Sequence, residues 1–223
     1  EVEVVKGTAI NTSDYTPSTS PFPDSSSAII DKTGNAVTVT GTAAVVSNAS
    51  SFGGYCLQAN QASGYVSTPV IDLTADKWTV ECFINPDALP TTGYDMGIFG
   101  YGSGSSGVGG VAATVYSDGT VRAMFAHGIN IVAGSISAGQ RVHMFVMRDG
   151  DRIYIGSNGT VGESRLVSGT TFVGDKAFTI GYANATYLQT VAIKIDEWRV
   201  SANEAKYPTS GTYTIPAIAF PDP

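Results

Sequence analysis

Trp78-Thr79-Val80-Glu81-Cys82-Phe83-Ile84-Asn85-Pro86 reads as one strand. Trp78, Val80, Cys82 and Ile84 fall on one face, and Thr79, Glu81 and Asn85 on the other. This is the period of two expected of a strand with one face in a core. Phe83 interrupts the polar face, so that side is expected to be partly covered too. Pro86 has no amide hydrogen for a ladder and pushes Asn85 to extended geometry, which ends the strand at Asn85-Pro86-Asp87.

Further strands are found on both sides of this one. Upstream, residues 36–40, 43–46, 52–57 and 64–68 are short β-like runs, with a shorter one at 28–30 and another at 1–7. Residues 71–77 form a connection with one helical turn. Downstream, residues 112–116 and 120–126 flank Ser117-Asp118-Gly119, and Asp-Gly between apolar runs signals a hairpin. Residues 97–100, 129–132, 153–155, 171–173 and 177–182 add further strands. Residues 141–148 are apolar on both faces, which places them mid-sheet. In 191–200 the phase slips: Val191, Ile193 and Ile195 share one parity, Trp198 and Val200 the other. A β-bulge at Asp196-Glu197 restores a common core face. One helical turn is expected at 202–206. About a dozen short strands with frequent turn signals predict an antiparallel sandwich.

Composition agrees. The chain has 223 residues, 26 glycines and only 14% charged residues, which suits one large all-β domain rich in tight turns. No apolar run reaches membrane-spanning length, so no membrane insertion is expected. Net charge is -7 and the pI near 4.6. With 12 scattered Lys and Arg residues, the chain lacks the clustered basic face that nucleic acid requires. Cys56 and Cys82 read as two buried apolar residues, bonded only if their strands are neighbours. The chain divides into an extended Ser/Thr/Pro-rich arm (1–27), the sandwich (28–207) and a proline-containing tail (208–223).

Several runs, in order, resemble the laminin-G-like, concanavalin-A-like jelly-roll domains, particularly those of phage tail and fibre proteins. They are Phe52-Gly53-Gly54-Tyr55-Cys56-Leu57, Gly64-Tyr65-Val66, the central Trp78–Pro86 strand, Arg141-Val142-His143-Met144-Phe145-Val146-Met147-Arg148, Ile153-Tyr154-Ile155 and Ile195-Asp196-Glu197-Trp198-Arg199-Val200. A tail through Tyr207-Pro208 and Tyr213-Thr214-Ile215-Pro216 resembles the ending of the phage versions. Arg141 stands where the family carries Trp. The resemblance implies an all-β, two-sheet antiparallel jelly-roll sandwich. It also implies a virion location, with other virion proteins and host cell-surface polysaccharide as partners, and a homo-oligomer or larger assembly.

The chemistry-bearing residues are few. Related glucanases carry paired acids on one strand face. Here Glu81 stands alone, and Asp196 and Glu197 are adjacent, hence on opposite faces. Hydrolysis is therefore not expected. His127 and His143 lack a nucleophile or metal-ligand cluster. Calcium is the metal the resemblance implies, with Asp196 as ligand and Asp31 or Asp72 joining it. The alternative is that Asp196 caps turn amides or pairs with Arg199 or Lys194. Glycan binding needs an exposed aromatic platform with polar groups beside it. Tyr94, Tyr101, Tyr116, Tyr182 and Tyr187 lie in or beside loops, with Asn184 and Gln189 nearby. Tyr182, Asn184 and Tyr187 are the candidate glycan contacts. Two functions follow: a lectin-like virion protein binding host glycans, or a structural decoration protein held in the particle by its terminal arms.

Overall fold

The computed structural model describes residues 37–48, 51–102, 109–125, 129–167, 172–183 and 188–218. The expected strands at 1–7 and 28–30, the whole N-terminal arm and His127 lie outside these. Among the described residues there are 14 strands, the first seven being β1 (Thr38–Gly41), β2 (Ala44–Ser47), β3 (Tyr55–Ala59), β4 (Gly64–Ile71), β5 (Lys77–Pro86), β6 (Asp95–Tyr101) and β7 (Val111–Tyr116). The rest are β8 (Thr120–Phe125), β9 (Ile129–Ser135), β10 (Val142–Asp149), β11 (Arg152–Ser157), β12 (Thr160–Leu166), β13 (Lys176–Ile180) and β14 (Ile193–Ala202). They form two antiparallel seven-stranded sheets. The first has the order β1-β4-β13-β6-β7-β8-β9, the second β12-β11-β10-β5-β14-β3-β2. The chain is an all-β sandwich, consistent with a jelly roll.

The central strand behaves as its pattern predicts. β5 lies mid-sheet between β10 and β14. Trp78, Val80, Cys82 and Ile84 all enter the core between the sheets, and Trp78 meets Phe172 edge-on at 5.4 Å. From the first sheet Met96, Ile98, Val115, Val121 and Phe178 close the same core. β10 is likewise central, flanked by β5 and β11.

The bulge is present. The β5–β14 register shifts between Asp196 and Arg199, and Glu197 takes a positive φ of 52°. Trp198 then reaches Phe178 at 5.2 Å. Other expectations need correcting. Neither 72–76 nor 203–206 is helical: Thr74 instead closes a turn on Asp72, and Glu204 and Lys206 are tied in extended form to Thr79. Residues 172–173 are not in a strand. β12 has no sequence-based counterpart, because its apolar residues Val161 and Leu166 fall on opposite parities.

The polar face of β5 is covered. Residues 204–216 cross the outer side of the second sheet, and Tyr207, Tyr213 and Ile215 pack with Phe145, Met147, Tyr154 and Val161 in a second, smaller core. Tyr207 stacks on Phe145 at 4.3 Å. A bridge between Thr160 and Thr212 pins the far end of this strap to β12.

Candidate functional site

The outer face of the first sheet is set by parity. Met96, Ile98, Val115 and Val121 point inward, so Asp95, Thr114, Tyr116 and Arg122 point outward. By the same rule Val66, Phe178 and Ile180 are inward, and Tyr65 and Thr179 outward. β13 ends at Ile180, opposite Phe99, and leaves Gly97 of β6, paired with Thr114 of β7 on its other side, without a partner on the β13 side. Gln61 takes that place. Its Nε2 donates to Gly97 O at 3.0 Å and its Oε1 accepts from Gly97 N at 2.8 Å. After Ile180 the chain turns at Gly181 and crosses over β6. Ala183 lies so close that a β-carbon at Gly97 would stand 2.4 Å from its nitrogen. The crossing returns to the strand where Gln189 N donates to Asp95 O at 2.9 Å.

Two groups flank this crossing. On one side Tyr182 and Tyr65, both half-buried, lie ring to ring at 5.3 Å and 32°. On the other, Asp95 Oδ1 accepts from Thr114 Oγ1 at 2.9 Å, and Arg122 Nη1 stands 3.9 Å from the same oxygen. The Arg122 guanidinium lies 3.6 Å over the Tyr116 ring. Burial pushes the Asp95 carboxyl above its ordinary value; Thr114 and Arg122 oppose the shift and nearby Asp118 adds to it.

The outer face of the second sheet carries a buried polar cluster beneath the strap. Glu81 Oε1 accepts from Arg199 Nη2 at 2.7 Å and from its Nε at 3.0 Å. Glu81 Oε2 meets the Tyr207 hydroxyl and His143 Nε2, the latter at 3.2 Å. A carboxylate only accepts, so Nε2 carries a proton; Nδ1 lies 3.1 Å from Tyr213 OH, a hydroxyl that also donates to His143 O at 3.4 Å. Burial raises the Glu81 carboxyl, but the bonds from His143, Tyr207 and Arg199, with the arginine charge, outweigh it and hold the group below its ordinary value. The side chains of Glu81 and His143 have no exposed area. Through Tyr207 and Tyr213 the Glu81–His143 pair ties the strap to the sheet.

Beside it, Arg141 fills a slot between rings. Its guanidinium lies 3.8 Å from the Phe83 centroid and 4.4 Å from that of Phe52, and Nη2 donates to Asp196 Oδ2 at 3.1 Å. The same oxygen accepts from Phe52 N at 2.9 Å.

Residues 60–205 match the Laminin_G_3 family model, described as the concanavalin A-like lectin/glucanases superfamily. The chain belongs to this family. No curated protein matches it. Solved structures resemble this laminin-G-like domain in fold at low identity. One is the conserved carbohydrate esterase of the Shiga toxin-encoding bacteriophage phi24B: 16% identical, TM-score 0.54, covering 78% of this chain and 92% of that one. Another is the binding domain of Paraclostridial mosquitocidal protein 1: 11% identical, TM-score 0.59, covering 78% of this chain and 45% of that one. A third is domain 4 of an extracellular arabinanase from Geobacillus stearothermophilus in complex with arabinotriose: 15% identical, TM-score 0.53, covering 80% and 84%.

Within this laminin-G-like domain the sequence-predicted residues separate. Tyr182 lies on the outer face of the first sheet, whereas Asn184, Tyr187 and Asp31 lie outside the described residues. Tyr101 is a core residue, its hydroxyl bound to Ile71 O at 2.7 Å, so it cannot serve as a loop platform. Asp196 caps the Phe52 amide as one alternative held, but its cationic partner is Arg141 rather than Arg199, which goes to Glu81, or Lys194, which goes to Asp87. Asp72 Oδ1 accepts from Thr74 N and Oγ1. Asp72 and Asp196 share no neighbour in these contacts, and Oδ2 of Asp196 faces donors, not the oxygen shell a hard cation takes. Among the described residues no three His, Cys, Asp or Glu side chains converge as a metal set. Tyr65, Asp95, Thr114 and Arg122 were missed, although Arg122 is the charged residue in the polar phase of an otherwise apolar run.

Proposed function

We propose that this domain is a non-enzymatic, lectin-like module of a phage virion surface protein, and that it binds host surface glycans through the outer face of its first sheet. The observation that carries this reading is the pair of half-buried tyrosines, Tyr65 and Tyr182, beside Thr179 and the crossing that ends at Asp95. Half-buried aromatics give a sugar ring a face to stack on, and flanking polar groups meet its hydroxyls. Three similarities support the glycan-binding part of this reading: the family is named for lectins and glucanases, the arabinanase domain is in complex with an oligosaccharide, and the carbohydrate esterase comes from a bacteriophage.

The test is binding of the intact chain to a panel of bacterial surface polysaccharides and neutral oligosaccharides, with calcium and with chelator. The expected result is saturable binding to at least one glycan. Tyr182→Ala should weaken it about tenfold with the melting temperature held, the order expected from loss of an aromatic contact of about 1.4 kcal/mol. Loss on chelation would bring calcium into the site. No binding in either condition would sink the lectin reading and favour a decoration role.

A further inference from the structure

We propose that Arg122, Tyr116 and Asp95 form a second sugar contact on this face, built for neutral rather than acidic glycans. The inference rests on the glycan-binding reading and names its substrate class.

Arg122 leaves most of its hydrogen-bonding capacity unused. It carries five N–H donors, yet among the described residues it donates no hydrogen bond; its polar neighbour is Asp95 Oδ1, at 3.9 Å. That gap is too long for a hydrogen bond. An arginine that only tied β8 to β6 would close on the Asp95 carboxylate. Instead the guanidinium stands over the Tyr116 ring, 3.6 Å from its centroid, with 23% of its side chain exposed and 12% of that of Asp95. The face therefore presents fixed donors and a fixed acceptor side by side. Neighbouring hydroxyls on a sugar ring, each both donor and acceptor, complement that pair. Because Tyr116 orders the arginine before any ligand arrives, less side-chain freedom is lost on binding.

Charge decides the class. Asp95 sits against Arg122, and Asp118 acts electrostatically on both Asp95 and Arg122. Two carboxylates to one guanidinium leave the spot net negative, within a chain of net charge -7. A uronic or sialic acid would bring its carboxylate against this field, whereas a neutral hexose or pentose would not.

The experiment titrates the intact chain with neutral oligosaccharides (arabinotriose, maltotriose, cellotriose) and acidic ones (sialyllactose, oligogalacturonate), alongside Arg122→Ala, Arg122→Lys and Asp95→Asn/Asp118→Asn. The expected result is binding of a neutral sugar, weakened tenfold or more in both arginine variants. The lysine variant keeps the charge and the stem, so its melting temperature serves as the fold control. The double Asn variant should gain affinity for acidic sugars. Glycan binding unaffected by either arginine variant, or preference of the unmodified chain for acidic sugars, would overturn the inference and leave the lectin reading standing. No sugar bound at all would overturn both.

Discussion

Glu81 shows how much depends on one side chain. Its carboxylate receives bonds from Arg199, His143 and Tyr207 with no exposed area of its own. Glu81→Gln leaves a part-buried arginine contact and a tyrosine hydroxyl mismatched, and should cost about 3 kcal/mol, read as a lower denaturant midpoint at unchanged m-value. The pH dependence has a definite sign. The folded carboxyl titrates below its ordinary value of 4.5, so its contribution is complete above that pH and is lost as pH falls through the lower, folded value. Asp95 has the opposite sign. Its folded carboxyl titrates above 3.8, so ionising it costs stability as pH rises. Asp95→Asn should keep or raise the melting temperature at pH 7 while Glu81→Gln lowers it. Gln61→Ala strands both the N–H and the C=O of Gly97 and should cost about 2 kcal/mol, again read by denaturant melts. The parity of β5 made the position of Glu81 legible. Its partners lie 62, 118 and 126 residues away, and no local pattern encodes such pairings.

At the level of elements, the phase slip of β14 was legible because a core face must be continuous, and one extra residue is the least disruption that restores it. β12 was not legible, since an edge strand with few buried residues lacks the alternation that marks a strand. The crossing after β13 was invisible too. Its requirement is a missing atom: at Gly97 and Gly100 any β-carbon would stand under 3 Å from Ala183. Gly97→Ala should therefore displace the crossing, lower the melting temperature by several degrees, and weaken glycan binding through Tyr182 more than through Arg122. Residues 208–223 read as an extended, proline-containing tail, yet Tyr213 and Ile215 pack with Tyr207 against the second sheet. Truncation after Ala202 should expose Phe145, Met147 and Tyr154, seen as new binding of a hydrophobic dye at neutral pH. The proposed glycan face was half legible. Tyr182 was found because loops advertise their aromatics, and Arg122 was passed over because strand residues were assigned to packing.

The whole molecule is two sheets whose rims differ. On one side β9 and β12 meet, and Val132 N donates to Glu163 Oε2 at 3.1 Å across the seam. On the other, β1 and β2 are edge strands, with Val39 43% and Val45 49% exposed. Charge is spread thinly over this body, so increasing salt should change neutral-glycan affinity by less than twofold, while acidic sugars gain as repulsion is screened. The two cysteines are free and buried, on β3 and β5 with β14 between them. Burial raises both thiols. The native chain should resist thiol reagents for hours and react at both sites within minutes in denaturant, which a mass shift reads directly.

The position of β14 also has a consequence in time. It is the last strand among the described residues, yet it sits between β3 and β5, pairing Ala202 with Trp78. A ribosome delivers residues from the N-terminus onward, so the second sheet emerges as two unjoined pieces, β2–β3 and β5–β10–β11–β12, each with an open inner edge. No local rearrangement can close that gap, because the strand that fills it has not yet been made. A nascent chain stalled at residue 190 should therefore remain protease-sensitive however long it waits. Completing the chain should make it resistant in a single step, with the strap closing over the seam only after β14 is in place.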